Sequence, residues 1–337
     1  MDPVSHVAFG RTLMALDTQR TLGRGAIAAC VLGSLTPDLD AVFMPIGWDV
    51  YLRHHQGGTH SLIGSIACAA LTAAVVRIVA KRGDYLPLLL AAWAGALGHL
   101  VLDVISGADV RFFWPLGPPV ALPLFAMADP WLGGVFVLGL VTLALRKTNS
   151  ARIAAVILIA VTALAASKAA LYAKAHTSEQ SSTGSVQFRR ADAEWGSLAR
   201  WITYETRAEV VEARRVDALT GTITPLVSIP RGLDDPLVVR SRELQTVQNF
   251  LAAHGVTFAI VVGTGAERRQ VFWSDLRYCS PVEQRTASWP PWAPADLGGG
   301  LPVSCTLWFG GEFDPATGRP TASIVHVGHL VQRRPIR

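Results

Sequence analysis

The feature of this sequence that most constrains its fold is a series of apolar segments in the first half of the chain. Four windows are about as long as a helix must be to cross the hydrocarbon core of a bilayer, or slightly shorter. They cover residues 61–79, 86–105, 131–145 and 153–172, and the third is the weakest because it is the shortest. A fifth apolar run, 26–35, is too short to span and is predicted to form a buried or re-entrant helix.

The composition agrees with a membrane protein. Half of the 337 residues are hydrophobic, only 16% are charged, and the mean hydropathy is +0.34. These values argue against a chain that is soluble throughout. The first 20 residues are amphipathic and lack a continuous apolar region, so we expect no secretory signal peptide. The net charge of +5 is spread along the chain without basic runs interleaved with aromatics, so we expect no direct nucleic-acid binding.

We therefore predict a mainly α fold in two domains. Residues 1–175 form a membrane-embedded helical domain, with about four transmembrane helices and additional N-terminal helices. A Ser/Thr-rich linker, 176–185, ends the last membrane helix. Residues 186–337 form a smaller soluble α+β domain, because β-branched and aromatic runs there are followed by turn signals. Within it we expect one helix over about 240–253 and a hairpin through 314–318.

The charges of the short loops predict an orientation in the inner membrane. RIVAKRGDY and RKTNSAR, on one side of the predicted helices, each carry three basic residues, whereas the loop between the second and third helices carries only Arg111. By the positive-inside rule, the two basic loops are cytoplasmic and the C-terminal domain is periplasmic. Four arginines of the N-terminal zone oppose this orientation. On the outer face Cys279 and Cys305 can form a disulfide, a pairing that spacing alone does not establish.

Two ionisable residues inside the second membrane segment suggest a polar site. His99 and Asp103 are four residues apart, which brings both side chains to one face of a helix. Ionisable groups at membrane depth are costly and usually face a protein interior or a polar cavity. The pair is compatible with a hydrogen bond that fixes helix packing or with a metal site.

Further His and Asp residues fall near the same end of the predicted helices. TPDLD supplies Asp38 and Asp40, and His6 lies in the first helical pattern. RHHQGGTHS supplies His54, His55 and His60. The start of the first membrane helix and the end of the second meet at one bilayer face. Isolated His or Asp residues in loops are usually just solvated. Six such groups at one depth favour a metal site: His6, Asp38, Asp40, His60, His99 and Asp103.

The types of these side chains indicate the metal. Histidine and carboxylate ligands without nearby cysteine suit Zn²⁺ or a similar divalent ion with three or four ligands. We predict Asp38, His60, His99 and Asp103 as the first set. His6 and Asp40 are then available to bind or bridge a second ion.

The hydroxyl groups near His60 are less suited to catalysis. Thr59 and Ser61 are predicted to cap the following helix rather than to act as nucleophiles, and the chain has no G-x-S-x-G motif. A water activated by the metal is the better nucleophile. His55 is then a candidate general acid/base or a group that supports the ligands.

PDLD, HQGGTHSL, GHLVLD and GADVRFFWPL, in this order, resemble the YdjM/YbcI-type inner-membrane metal-dependent hydrolases. The later segments VQNFLA and VFWSDLRY are also similar to that family. The chain departs from the family pattern at Gln56, where an arginine is common, and at Ala41, where a histidine is often seen. The family's descriptive name links it to binding of the LexA repressor, which implies a possible protein partner for the C-terminal domain.

A more distant resemblance is to the zinc-dependent phospholipase C and P1 nuclease group. The order of its ligands is similar to the order of the five residues His6, Asp38, His60, His99 and Asp103. This resemblance adds Asp109, six residues after Asp103, as a candidate ligand of a second ion. The other ligands of that group have no counterparts here, so the resemblance implies one or two ions.

The functional hypothesis is a membrane-bound, metal-dependent hydrolase of an amphiphilic ester or phosphoester. The main alternative is a non-catalytic membrane protein whose polar cluster stabilises the helices while the C-terminal domain binds a partner. A transporter is disfavoured because four helices without internal repeats offer little for alternating access. The remaining histidines of the C-terminal zone lack spaced partners and are predicted to be packing or surface residues: His176, His254, His326 and His329.

Overall fold

The computed structural model describes residues 1–17, 21–23, 25–81, 84–146, 149–179, 185–263, 269–281, 301–328 and 330–336. The chain is helical up to residue 179, and strands predominate from residue 188. The helices of the first part are α1 Pro3–Met14, α2 Ala26–Gly33, α3 Trp48–His54, α4 Leu62–Ala80, α5 Tyr85–Ile105, α6 Pro130–Leu145 and α7 Ser150–Glu179. A 3₁₀ helix, Thr36–Phe43, lies between α2 and α3.

Three of the described helices are long and apolar enough to cross a membrane: α4, α5, and α7 over Ser150–Thr177. α2 and the 3₁₀ helix meet the criterion only as a pair bent by 44°. That bend agrees with the prediction of a buried or re-entrant helix at 26–35. The third predicted span is α6, which has 16 residues and is therefore only about 24 Å long.

α2, α4 and α5 pack closely because their contact surfaces consist of small side chains. A Cβ added at Gly95 would lie 2.1 Å from the carbonyl oxygen of Cys30, and one added at Gly33 would lie 2.2 Å from that of Ala92. The backbones of α2 and α5 therefore touch, as small residues permit in membrane helices. This contact brings His99, one turn after Gly95, to the end of α2.

α1 lies across α5 and packs against α6 and α7. The ring of Phe9 lies against Gly98, where an added Cβ would be 2.1 Å from a ring carbon. On its other side α1 joins an apolar cluster that includes Phe125, Leu132 and Phe136. The two contacts hold α1 so that His6 faces α5.

The second part contains two main antiparallel sheets. Its strands are β1 Phe188–Ala193, β2 Arg200–Thr206, β3 Val210–Asp217, β4 Ile223–Pro230, β5 Thr257–Val262, β6 Arg269–Asp275, β7 Cys279–Pro281, β8 Val303–Cys305, β9 Leu307–Phe313, β10 Pro320–Val327 and β11 Leu330–Pro335. The strand orders are β1-β2-β3-β4 and β11-β10-β9-β6-β5, with β7 and β8 forming a separate pair. Buried side chains between the sheets, including Val211, Phe258 and Trp308, form one core.

Local details of this part agree with the sequence analysis except in one helix. The chain forms two helices, α8 Pro236–Ser241 and α9 Gln245–Ala253, where we predicted one. The predicted hairpin joins β9 to β10, and Asp314 accepts hydrogen bonds from two backbone N–H groups of its turn. Cys279 and Cys305 are directly paired across β7 and β8 and form a disulfide.

The C-terminal part lies against α7 and against the loops that follow α5. The indole of Trp201 donates to the carbonyl of Pro123 over 2.7 Å, and Lys168 donates to the carbonyl of Ser197 over 3.0 Å. α7 continues to Glu179, four residues into the predicted linker, whose residues 180–184 lie outside the described part. The domain boundaries therefore stay a prediction.

Candidate metal centre

Four separate segments bring the predicted ligands to one place. α1 supplies His6, and the 3₁₀ helix supplies Asp38. The loop between α3 and α4 supplies His55 and His60, and α5 supplies His99 and Asp103. Within the described chain these side chains form three overlapping groups whose ligand atoms lie within 4.8 Å of one another. The groups are His6–Asp38–His99, Asp38–His55–His60 and His60–His99–Asp103.

Among four ligand atoms, five of the six pairwise separations are close to those of a tetrahedral zinc site. The four atoms are Asp38 Oδ1, His60 Nε2, His99 Nε2 and Asp103 Oδ2. A tetrahedral ion with bonds of about 2.0–2.1 Å separates its ligand atoms by about 3.3–3.4 Å. The measured separations are 3.1 Å for His60–His99, 3.5 Å for His60–Asp38, 3.5 Å for His60–Asp103, 3.6 Å for His99–Asp38 and 3.2 Å for His99–Asp103.

The hydrogen bonds of the two histidines direct their free nitrogens into the cluster. His99 Nδ1 lies 2.8 Å from the carbonyl oxygen of Ser34, which can only accept, so this nitrogen carries the hydrogen. His60 Nδ1 lies 3.3 Å from Asp40 Oδ2 and 3.1 Å from the hydroxyl of Thr59. Both Nε2 atoms then present lone pairs to each other and to two carboxylates, an arrangement that requires a cation or a proton between them.

The electrostatics of His60 agree with this requirement. Burial disfavours the charged imidazolium, but hydrogen bonds to Asp103, Asp38 and Asp40 raise the pKa of His60 well above its ordinary value. The carboxylates therefore favour positive charge at this position. Since a metal ion and a proton compete for the same lone pair, the field that favours the proton also favours the metal.

His6 lies beside this set and is suited to a second ion. Its ring stacks on that of His99 with centroids 3.8 Å apart, and both of its nitrogens are buried. In the described structure its Nδ1 has no hydrogen-bond partner. Burial is the main cause that lowers the pKa of His6, and the hydrogen bond to Asp103 opposes it. His6 Nε2 lies 3.3 Å from Asp103 Oδ1, whereas the other oxygen of Asp103 faces His60 and His99. The N-terminal ammonium group of Met1 also contacts Asp103 Oδ1, so a positive charge already lies on this side of the carboxylate.

Asp40 supports the ligands from outside the four-atom set. It contacts His60 Nδ1 and also His55 Nδ1, the latter at 3.2 and 3.0 Å from its two oxygens. A carboxylate in this position fixes the ring orientation and raises the basicity of the opposite nitrogen. The prediction that Asp40 binds a second ion stays a prediction, and its observed contacts are those of an orienting group.

The side-chain exposures show where the site opens. The side chains of His6, His60, His99 and Asp103 are at most 4% exposed, whereas those of His55 and Asp38 are 23% and 36% exposed. A molecule from outside therefore reaches the cluster past His55 and Asp38. His54, the neighbour of His55, is exposed and packs against Phe43 instead.

Asp109 is not brought into these groups. Its carboxylate contacts Arg190 of β1, and its backbone N–H donates to Gln56 Oε1 over 3.0 Å. Gln56 takes a left-handed backbone conformation with φ 61°, and its carbonyl accepts from the N–H of Arg111 over 3.1 Å. The loop after α5 is thereby fixed beside the site. The ligand role of Asp109 stays a prediction that these contacts do not support.

The structure adds contacts that the sequence analysis missed. Asp49 of α3 is buried, contacts Arg334, and accepts from Asn249 Nδ2 over 3.1 Å. Arg53 of the same helix donates to Asn249 Oδ1 over 2.8 Å. The C-terminal part therefore holds the helix that ends at His54, next to His55. No local sequence signal links residues that are 196 or more positions apart.

The predicted helix cap is found at Ser61. Its hydroxyl accepts from the N–H of Gly64 over 2.9 Å and donates to the carbonyl of Gly58 over 2.7 Å. Thr59 contacts Asp40 and His60 instead. Ser61 therefore fixes the start of α4 directly after His60.

The sequence of this chain is similar to those of known membrane proteins. Residues 1–174, which include every member of the cluster, match the family described as YdjM inner membrane protein. The chain belongs to the YdjM family. It is 26% identical over 140 residues to the uncharacterized protein YfhP of Bacillus subtilis (strain 168), and the match covers 39% of this chain and 43% of that relative. The chain thus matches less than half the length of this relative. No solved structure matches the chain.

The family match confirms the predicted resemblance to the YdjM family and the membrane character of the chain. Proteins of this family are described as inner membrane proteins, and three helices of the described chain are able to cross a membrane. The His/Asp groups are able to hold a metal ion.

Proposed function

We propose that this protein is a zinc-dependent hydrolase that acts on an amphiphilic ester or phosphoester at the surface of the inner membrane. The observation that carries the proposal is the set of five separations of 3.1–3.6 Å among Asp38, His60, His99 and Asp103. A helix-stabilising polar pair needs only two of these groups. A divalent ion such as zinc is held by about four ligand atoms, and here two carboxylate oxygens and two buried imidazole nitrogens converge.

Each residue has a defined role in this proposal. Asp38, His60, His99 and Asp103 hold the zinc ion, and the Ser34 carbonyl and Asp40 orient the two rings. A bound divalent ion supplies a polarised substrate oxygen and a lowered pKa for water. His6, on the other side of Asp103, holds a second ion where one is present.

His55 is placed to transfer protons at the mouth of the site. Its Nδ1 is held by Asp40, and the exposed side of its ring faces the opening. A histidine oriented by a carboxylate is the usual arrangement for general acid/base catalysis. His55 then takes a proton from the attacking water and returns it to the leaving group.

The position of the site favours a lipid-like substrate. His60 lies two residues before α4 and Asp103 near the end of α5, so the cluster lies at the end of two apolar helices. Exposed apolar side chains surround this end of the helices: Leu39, Val42, Phe113, Trp114 and Leu116. Tryptophan is enriched at the membrane–water interface, and an exposed apolar patch marks an interaction surface such as a lipid contact. The ester bond of an amphiphile would lie at the same depth.

We also propose four membrane crossings, with the site and the C-terminal domain on the periplasmic side. α5 ends beside the site. Lys168 of α7 lies 3.4 Å from Asp129 at the start of α6, and the carbonyl of Met127, just before α6, accepts from the N–H of Asp2 at the start of α1 over 3.0 Å. α6 must therefore return the chain to the cytoplasmic face of the membrane. The basic segment 146–152, between α6 and the first turn of α7, lies on that face. The disulfide agrees with an oxidising compartment.

Turnover by the purified protein tests the hydrolase proposal. The full chain in lipid nanodiscs, loaded with zinc, is assayed on matched carboxyl ester, phosphomonoester and phosphodiester substrates, each with and without an acyl chain. We expect turnover of an acylated substrate, lost in His55→Gln and retained in the matched variant His54→Gln. Stoichiometric zinc without turnover of any substrate would favour the non-catalytic alternative, with a partner bound through the C-terminal domain.

A further inference from the structure

We propose that the turn between β1 and β2, residues 194–199, is inserted into the headgroup region of the bilayer and anchors the C-terminal domain to the lipid surface. This surface is separate from the metal centre. The proposal does not depend on the hydrolase activity.

The turn exposes the indole ring of Trp195, whose N–H group already has a hydrogen-bond acceptor within the protein. Trp195 is 68% exposed, yet its indole N–H donates to the carbonyl of Ala128 over 2.7 Å. Trp131, at the start of α6, is 48% exposed and donates in the opposite direction, to the carbonyl of Gly196 over 3.1 Å. Two indoles with bonded N–H groups and exposed ring faces are suited to the interface between water and lipid.

The exposed patch continues along a helix that faces lipid. Trp131, Leu138 and Leu145 follow one another at intervals of seven residues, which places them on nearly the same face of α6. All three are exposed, as expected for a lipid-facing stripe. Leu198 of the turn and Met127 before α6 extend the apolar surface beyond the helix. This continuity identifies a lipid surface, rather than a protein, as the partner.

Buried contacts hold the turn at this depth. Lys168 of α7 is buried and donates to the carbonyl of Ser197 over 3.0 Å and to Asp129 over 3.4 Å. The turn is thus attached to the span α7 and to the first residues of α6 at the same level. On its other side Glu194 pairs with Arg200 and Arg215, which provide a charged rim above the apolar patch.

The turn between β3 and β4 provides a matched control. Leu219 is 66% exposed at the same end of the sheet. However, its carbonyl accepts from Lys174, which is six residues and therefore about 9 Å farther along α7 than Lys168. Leu219 should lie above the headgroups.

Spin labels test the depth of the two turns. Trp195→Cys, Leu198→Cys and Leu219→Cys are labelled separately in the full chain lacking Cys30 and Cys68, in nanodiscs of phosphatidylethanolamine and phosphatidylglycerol. We expect the labels at 195 and 198 to be relaxed by oxygen and shielded from a water-soluble nickel chelate, and the label at 219 to show the reverse. Leu198→Cys keeps both indole hydrogen bonds, so a fold disturbed by loss of Trp195 would not obscure the result.

Two outcomes would overturn the proposal. Equal relaxation by nickel at all three positions would place the turn in water. Shielding of 195 and 198 from both relaxants would mean that a protein surface, such as a second copy of the chain, covers the patch.

Discussion

Replacement of His99 by alanine should reduce zinc affinity by about two to three orders of magnitude. Structural zinc sites bind with about 10–16 kcal/mol, so one of four ligands contributes about 3–4 kcal/mol on average, or about 10²–10³-fold in Kd. His99 should match this average because its ring is buried and already oriented by the Ser34 carbonyl. Its removal leaves Asp38, His60 and Asp103 as an incomplete set.

The assay is competition between the protein in nanodiscs and a fluorescent zinc chelator. His54→Ala serves as the matched control because His54 is exposed and lies outside the His/Asp groups of the described chain. The control should bind zinc as the wild type does. Equal Kd values for His99→Ala and the wild type would refute the four-ligand set. A wild type that binds no zinc would instead support a purely structural hydrogen-bond cluster.

Three further predictions follow from contacts around the site and in the C-terminal domain. Asp40→Asn should weaken zinc binding about 10–100-fold because it disturbs the orientation of His60, and an unchanged Kd would exclude that role. Arg334→Met should cost about 1–3 kcal/mol by leaving the buried Asp49 with one partner fewer, seen as faster hydrogen exchange in α3; unchanged exchange there would contradict it. Protonation of His254 should destabilise the C-terminal domain as the pH falls from about 6.5 to 4. If the thermal midpoint of His254→Gln falls with pH as much as that of the wild type, His254 is not the cause.

The sign of the His254 effect follows from its burial. Burial is the main cause that lowers the pKa of His254 to about 4, whereas an unfolded histidine has a pKa of about 6.5. The unfolded chain therefore binds the proton first, and stability present above pH 6.5 is lost as the pH falls. The loss is about 1 kcal/mol at pH 5.5 and about 3 kcal/mol at pH 4.

Much of the candidate centre was predictable because its residues carry local signals. The four-residue spacing of His99 and Asp103 places both on one helix face, and hydropathy alone places His60 at the matching end of the neighbouring helix. Helix topology then requires the two ends to meet. The geometry of the described residues agrees with this placement, while the ligand assignments themselves stay predictions.

The contacts that orient the site were not predictable in the same way. The Ser34 carbonyl contacts His99 because Gly33 and Gly95 let two backbones touch, a contact that depends on packing rather than on any side chain of residue 34. Asp109 was predicted as a ligand from a distant resemblance, but a strand residue 81 positions later, Arg190, contacts it. The span predicted at 131–145 corresponds to α6, which is shorter than the three described helices that are able to cross a membrane, so this fourth crossing stays a prediction.

The most direct test of the account is X-ray absorption at the zinc K edge of the full chain in nanodiscs. Zinc held by Asp38, His60, His99 and Asp103 should show a first shell of four nitrogen and oxygen atoms at about 2.0–2.1 Å, with the outer-shell scattering of two imidazole rings, in a preparation with stoichiometric zinc. His99→Ala should lose one imidazole contribution. A sulfur shell at about 2.3 Å, or an imidazole signal unchanged in the variant, would contradict the assignment.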